Sequence, residues 1–246
     1  MPDQSSEKDL RLAVLIDADN ASRTAMKDVM AEVAVYGTPT IKRIYGDWTS
    51  PNMSTWKSIL LETAITPIQQ YSYTTGKNAT DSAMIIDAMD ILYSGNVDGF
   101  CIVSSDSDFT RLAARLRESG MLVLGMGEKK TPTAFISACN KFKYLEILAQ
   151  PAETVSATQR RTEEMTPLET VKNAVLSIMD EISDEDEWVS ISEIGSRLNK
   201  RYPDFDVRNY GFRKLTPFIK SLGILDIRSV PVNEGNSRLV YVKVRS

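Results

Sequence analysis

Short apolar runs alternate with amphipathic stretches along the first 150 residues of the chain. The apolar runs have the length of strands, and the stretches between them carry apolar residues at helical spacing. This alternation is typical of a parallel sheet covered by helices. The predicted strands are 12–16, 40–45, 65–70, 99–103, 121–126 and 144–148, and the predicted helices are 25–33, 53–63, 81–93, 109–118 and 133–138. We therefore expect a doubly wound α/β domain with helices on both faces of the sheet.

The pattern changes after residue 149. Residues 150–165 have no apolar periodicity and are predicted to be a linker, and the polar residues 1–9 are predicted to be a flexible tail. Residues 166–246 predict three helices followed by two strands joined by a turn, which is the order of a small winged helix. The helices are expected at 168–182, 191–200 and 210–222, the strands at 224–230 and 238–242, and the turn at 233–236. The first domain then spans residues 10–149.

The composition argues against several classes of protein and several kinds of catalytic site. No apolar run approaches the roughly 20 residues that span a bilayer, and the polar start lacks the features of a secretory signal, so we expect a cytoplasmic protein without membrane contact. The chain has no histidine, which excludes Ser-His-Asp and Cys-His catalysis. Its two cysteines have no ligand-type neighbours, which argues against a disulfide framework or a zinc site.

Charge is distributed unevenly between the two predicted domains. The net charge is −4, but residues 188–246 carry eleven lysines and arginines against five acidic residues. A local basic excess is typical of a surface for nucleic acid or for an acidic partner, although scattered surface lysines give a weaker version of the same signal. The basic excess makes the C-terminal domain a candidate RNA-binding or partner-binding module.

Three acidic clusters lie at the ends of two predicted strands and at the start of one predicted helix of the first domain. In open α/β sheets, ligands bind beyond the carboxyl ends of the strands, where these side chains would gather. Singly, Asp81, Ser107 or Asp108 is explained as a helix cap worth about 1 kcal/mol. Together they would concentrate negative charge, which Mg²⁺ or Mn²⁺ would compensate. The three clusters are Asp17 with Asp19 and Asn20, Asp81 with Lys77 and Thr80 before it, and Asp106 with Asp108.

These motifs resemble a known family. The stretches LIDADN, GKNATDSAMIIDAMDIL, IVSSDSDFTRLAARLRESG and TPTAFISACNKFKYLE are similar to the NYN domain, the LabA-like branch of the PIN-fold nucleases. The resemblance covers about residues 10–148. It implies a PIN-like Rossmannoid fold and a divalent-metal-dependent endoribonuclease with Mg²⁺ or Mn²⁺ as cofactor. Carried over by position, the catalytic and metal-binding residues would be Asp17, Asp81, Asp106 and Asp108, and the asparagine of the first motif is Asn20. For a ribonuclease at this site we also expect Asn20 and Ser105 to orient water or phosphate and Lys77 to contact the RNA backbone.

The C-terminal stretch 188–223 is similar to the OST-HTH or LOTUS domain, which it matches at Phe205-Asp206 and at Tyr210 to Leu215. That resemblance implies binding of RNA or of a protein partner. The candidates for RNA contact are Arg208, Arg213, Lys214 and Lys220. The oligomeric state stays open, a homo-oligomer included.

Two other functions compete with a ribonuclease. The first domain could be a catalytically silent RNA-binding adaptor, with the metal retained for structure or lost. The segment DADN also matches the Asp-x-Asp motif of haloacid-dehalogenase-like phosphatases, in which Asp17 would be the nucleophile and Asp19 the general acid. We rank the phosphatase lowest because Asn20 stands where that family has threonine or valine.

Overall fold

The structure is a computed structural model that describes residues 9–71, 79–148, 165–182, 188–231 and 238–245. The chain divides into two compact units, Met1–Ala149 and Gln150–Ser246. Most of the predicted tail and linker, Lys77 and the predicted turn at 233–236 lie outside the described residues. The domain boundaries that we predict from composition therefore stay predictions.

The first unit is a six-stranded parallel sheet with helices around it, which confirms the predicted fold class. The strand order is β3-β2-β1-β4-β5-β6, so the chain changes direction across the sheet between β1 and β4. Ligand sites in such sheets lie at the carboxyl ends of the strands on either side of that switch point. The elements are β1 Arg11–Asp17, α1 Met26–Val33, β2 Thr38–Gly46, α2 Lys57–Thr63, β3 Thr66–Gln69, α3 Ala79–Ser94, β4 Gly99–Val103, α4 Thr110–Glu118, β5 Leu122–Gly127, α5 Thr133–Ala138, β6 Lys141–Tyr144 and α6 Leu145–Leu148.

The two central strands are apolar between their ends because both of their faces are covered. Leu12 to Ile16 of β1 and all of β4 are buried, and Val14 pairs with Cys101 in the parallel register. Continuous apolar runs are expected where helices cover both faces of a parallel sheet. The central strands therefore form a rigid base for the side chains at their carboxyl ends.

The prediction for the last strand was wrong. The strand is Lys141–Tyr144, and the segment that follows it is the short helix α6. β6 is an edge strand, so buried Phe142 and Tyr144 alternate with partly exposed lysines. That alternation hid the strand from a search for continuous apolar runs. A smaller difference occurs at the predicted helix 53–63, which consists of a 3-10 segment, Pro51–Trp56, followed by α2.

Helix α3 is fastened to the sheet by a charged cluster. The Asp87 carboxylate accepts hydrogen bonds from the Arg43 guanidinium and the Tyr45 hydroxyl, both from β2. Burial, followed by the neighbouring Asp87 carboxylate, raises the pKa of Tyr45, so the phenol stays protonated and keeps donating. This cluster gives Asp87 a structural role, and it fixes the helix that carries Asp81.

The second unit has three α-helices and a small antiparallel sheet of order β7-β9-β8 in the described residues. The predicted helix 210–222 begins only at Leu215, because Gly211 has a φ of 84° and Lys214 is extended. The two-residue strand β7 was not predicted. The elements are α7 Leu168–Ile182, β7 Val189–Ser190, α8 Ile191–Arg201, α9 Leu215–Leu222, β8 Leu225–Pro231 and β9 Arg238–Val244. In the described part of the chain, no helix is long and apolar enough to cross a membrane.

Candidate active site

Asp17 is the buried centre of the site, with 0% of its surface exposed at the end of β1. Its Oδ1 accepts the backbone N–H groups of Asp19 at 3.0 Å and Asn20 at 3.3 Å. Its Oδ2 accepts the Asn20 side-chain amide at 2.9 Å. Because each N–H donor compensates part of the carboxylate's lost hydration, Asp17 can be buried at a strand end.

Ser104 joins the first and fourth strands at this edge. Its hydroxyl donates to Asp17 Oδ2 at 2.8 Å and accepts the backbone N–H of Asp106 at 3.0 Å. The Ser104 side chain is fully buried. The sequence reasoning missed this residue and selected its neighbour Ser105. The available signal was a hydroxyl placed directly after the buried strand 99–103, at the level of Asp17.

Asp106 caps the segment that leads into α4. Its Oδ1 accepts the backbone N–H of Asp108 at 2.9 Å, which satisfies a donor at the start of the 3-10 turn Ser107–Phe109. The cap is therefore Asp106 rather than Ser107 or Asp108, the candidates that we named. One oxygen of Asp106 faces the backbone, while Asp108 is exposed at the turn.

Asp81 lies in the first turn of α3, close enough to the other carboxylates for their charges to affect its pKa. Its partial burial, followed by the charges of Asp17, Asp106, Asp108 and Asp19, raises the pKa of Asp81 to about 6. Burial and the charge of Asp17 also raise the pKa of Asp19, while a hydrogen bond with Thr80 opposes that rise. Because these charges act on one another, the carboxylates at the end of β1, after β4 and at the start of α3 share one region of negative potential.

A divalent cation suits the chemistry of these donors. Oxygen ligands are what Mg²⁺ and Mn²⁺ prefer, and burial together with the neighbouring carboxylate charges, which raises the pKa of Asp81, is what a bound cation would offset. Within the described ranges, however, no three carboxylate or thiol side chains are arranged closely enough to hold a metal ion. The donor set therefore fits such an ion, but the side chains are not gathered into a finished coordination shell.

The three predicted substrate contacts have different outcomes. Asn20 is engaged with Asp17 through both its backbone and its side chain. The Ser105 hydroxyl accepts the backbone N–H of Glu128 at 2.8 Å, so it links β4 to the loop after β5. Lys77 lies outside the described residues. Contact with substrate stays a prediction for all three.

The candidate RNA contacts of the second unit separate into two groups. Arg208 makes an ion pair with Asp206, with the shortest contact at 2.7 Å, so its guanidinium is already occupied. Arg213, Lys214 and Lys220 are exposed beside and within α9. The exposed three are the better placed for a polyanion, since their charges face water.

Comparison with known families agrees with this geometry. A family model described as the NYN domain matches residues 11–146, which is more than half of the chain. The chain belongs to the NYN domain family. A second model, the OST-HTH/LOTUS domain, matches residues 166–236. An NYN domain indicates a PIN-like nuclease, a class that is generally dependent on divalent metals, and an OST-HTH/LOTUS domain indicates RNA binding.

Solved structures resemble parts of this NYN protein. A protein of unknown function from Vibrio parahaemolyticus RIMD 2210633 has 20% sequence identity, with 56% of this chain and 93% of that chain covered and a TM-score of 0.46. An uncharacterised protein from Nitrosomonas europaea has 25% identity, with 40% of this chain and 87% of that chain covered and a TM-score of 0.28. No curated protein matches the chain.

Proposed function

We propose that this protein is a divalent-metal-dependent endoribonuclease whose C-terminal domain binds RNA. The observation that carries the proposal is that carboxylates at the end of β1, after β4 and at the start of α3 act on one another, so that their charges add to burial in raising the pKa of Asp81. A stable fold has no need of such a cluster, because each added negative charge opposes its neighbours. The NYN match to residues 11–146 supplies the independent support for a nuclease.

The four aspartates would hold Mg²⁺ or Mn²⁺, directly or through water. Asp17 and Asp106 would provide the fixed ligands, since hydrogen bonds already orient both carboxylates. Asp81 and Asp108 would complete the set. When bound, the ion would neutralise charge on the scissile phosphate and lower the pKa of an attacking water.

The other polar residues would position the carboxylates or the RNA and would not take part in the reaction themselves. Asn20 would hold the Asp17 carboxylate in its orientation, and Ser104 would keep Asp17 and the Asp106 backbone together. Ser105 and Lys77 would contact the RNA backbone. Arg213, Lys214 and Lys220 would add affinity through RNA phosphates, with Arg208 contributing less. An RNA substrate and free, buried cysteines also suit a cytoplasmic location.

Cleavage of labelled RNAs and DNAs tests the proposal. Purified protein should cut RNA with Mn²⁺ or Mg²⁺ and should be inactive with EDTA. The double variant Asp17→Asn/Asp106→Asn should lose activity, whereas Asp90→Asn, an exposed position of α3, should retain it. Metal-dependent cutting that survives in the double variant would refute the assignment of these residues.

A silent RNA-binding adaptor is the second candidate. One observation favours it: no three carboxylates in the described part of the chain are close enough together to hold a metal. Intact RNA binding with no cleavage of any substrate would support the adaptor. A phosphatase is less well supported, because Asn20 stands where that family has threonine or valine, and its side-chain amide donates to the Asp17 carboxylate.

A further inference from the structure

A cavity of about 560 Å³ lies where the loop after β2 and helix α2 meet the edge strand β3. Its walls include Trp48 and Met53 from the loop side, Leu60 and Leu61 from α2, and Pro67 from β3. Lys57 is the one charged residue among those that line it. Its size falls within the range of about 300–1,000 Å³ for small-molecule sites.

Trp48, which forms part of the cavity wall, is held in place by hydrogen bonds to the surrounding backbone and side chains. The Trp48 indole donates to the Ile68 carbonyl at 2.9 Å, and the Trp48 backbone N–H donates to the Gln69 side chain at 3.0 Å. The Gln69 amide in turn donates to Asp47 Oδ1 at 2.9 Å. The aromatic ring is thus fixed before any ligand arrives, which lowers the entropy cost of stacking on it.

The cavity adjoins the carboxylate site. A methyl group added at Gly46 would lie 3.1 Å from the Ala18 side chain and 3.2 Å from the Met53 side-chain terminus. Ala18 and Met53 pack together in the apolar core, on the face of β1 opposite to the Asp17 side chain. The link to the carboxylates is Asp47, which precedes Trp48 in the chain and lies near enough to Asp19 for its charge to help raise the pKa of Asp19. RNA bound at the carboxylates would therefore reach the cavity with a neighbouring nucleotide.

We infer that this cavity is a subsite for one base of single-stranded RNA, next to the phosphate that is cleaved. The inference rests on the proposed ribonuclease function and adds a binding site to it. A nucleotide combines flat apolar faces with a negative phosphate, which matches an indole, aliphatic walls and one lysine. An aliphatic protein segment would pack against the same apolar walls, but it would offer no anionic partner to Lys57.

Photocrosslinking locates the base without requiring catalysis. The full-length Asp17→Asn/Asp106→Asn chain, which should bind RNA without cleaving it, is irradiated with an oligouridine that carries thiouridine at one position at a time, and mass spectrometry identifies the crosslinked residues. Cleavage by the unmutated chain is assayed in parallel. We expect crosslinks to Trp48 or Met53. If RNA is cleaved but no crosslink falls within residues 48–67, the subsite is refuted and the nuclease stands. Crosslinks there without cleavage would support the subsite and refute the nuclease.

A matched pair of variants gives a second test. Leu61 on the cavity rim is 76% exposed and Val35, in the loop before β2, is 74% exposed, so glutamate is tolerated at both positions. Leu61→Glu brings a negative charge to the cavity and should weaken RNA binding by about 5- to 100-fold, the range of one lost base stack. Val35→Glu adds the same charge away from the cavity and should have little effect. Equal RNA affinities of the two variants would overturn the inference and leave the cavity to a protein partner.

Discussion

At the carboxyl edge of the sheet, four hydrogen bonds converge on one buried aspartate, whereas the second unit displays Arg213, Lys214 and Lys220 on its surface. The first arrangement holds a carboxylate in a fixed orientation inside the protein, and the second exposes three cationic side chains to water. Chemistry on a phosphodiester needs groups held at defined positions. Attraction of a polyanion needs only accessible cations.

The contrast predicts different sensitivities to mutation. Replacing a residue that orients a carboxylate should damage catalysis by a large factor, because no neighbour can take over its hydrogen bonds. Replacing one surface cation should weaken RNA binding by a small factor, because the others remain.

Ser104→Ala should have the largest effect of any single change outside the carboxylates. It removes the hydroxyl that donates to Asp17 and accepts from the Asp106 backbone. We expect kcat to fall by about 10- to 100-fold, the usual cost of losing a group that orients a metal ligand. The free energy of unfolding should fall by about 1–3 kcal/mol, since buried polar groups lose their partner. Ser107→Ala, at an exposed neighbouring position, is the control, and equal kinetics in the two variants would contradict the role of Ser104.

Asp87→Ala should loosen α3 and thereby misplace Asp81. It leaves the Tyr45 hydroxyl and the Arg43 guanidinium without their shared acceptor. Chemical denaturation should show a loss of about 1–3 kcal/mol. Cleavage should weaken several-fold through kcat rather than through RNA affinity. Asp90→Ala on the same helix is exposed and should change neither quantity, so a similar loss there would remove the support for this cluster.

Single substitutions of Arg213, Lys214 or Lys220 by glutamine should have the smallest effects. Each should weaken RNA binding a few-fold and reduce the slope of log affinity against log salt by about 0.7. Arg208→Gln should change the slope less, because its guanidinium is paired with Asp206. Filter binding across a salt series, with the Asp17→Asn/Asp106→Asn chain to prevent cleavage, measures these slopes. Slopes in all four variants that equal the slope of the parent chain would mean that this surface does not contact RNA.

The fold was predictable because its signals are local. Continuous apolar runs identified β1 and β4, and helical spacing identified α3 and α4 within a few residues. The last strand was missed because an edge strand alternates buried and exposed residues, so β6 lacked the run that marked the central strands. The start of α9 was missed because Gly211 and Lys214 interrupt an apolar pattern that continues at helical spacing.

The site was predictable only in part. Aspartates at strand ends can be found in the sequence, because the topology of parallel sheets gathers those ends. The hydrogen bonds among them cannot be found in the same way, because they join residues far apart in the chain. Ser104 and Asp17 are 87 positions apart, and the hydroxyl directly after strand 99–103 identifies the partner of that carboxylate only once the register of β1 with β4 is known.

Direct titration of Mn²⁺ tests the central claim, which is that the carboxyl edge of the sheet holds a divalent cation. Isothermal calorimetry would compare the full chain, the Asp17→Asn/Asp106→Asn variant and the Asp90→Asn control. We expect Mn²⁺ binding to the wild-type and control proteins, and binding at least about tenfold weaker in the double variant. Equal affinity in all three proteins, or no binding to the wild type, would contradict the account.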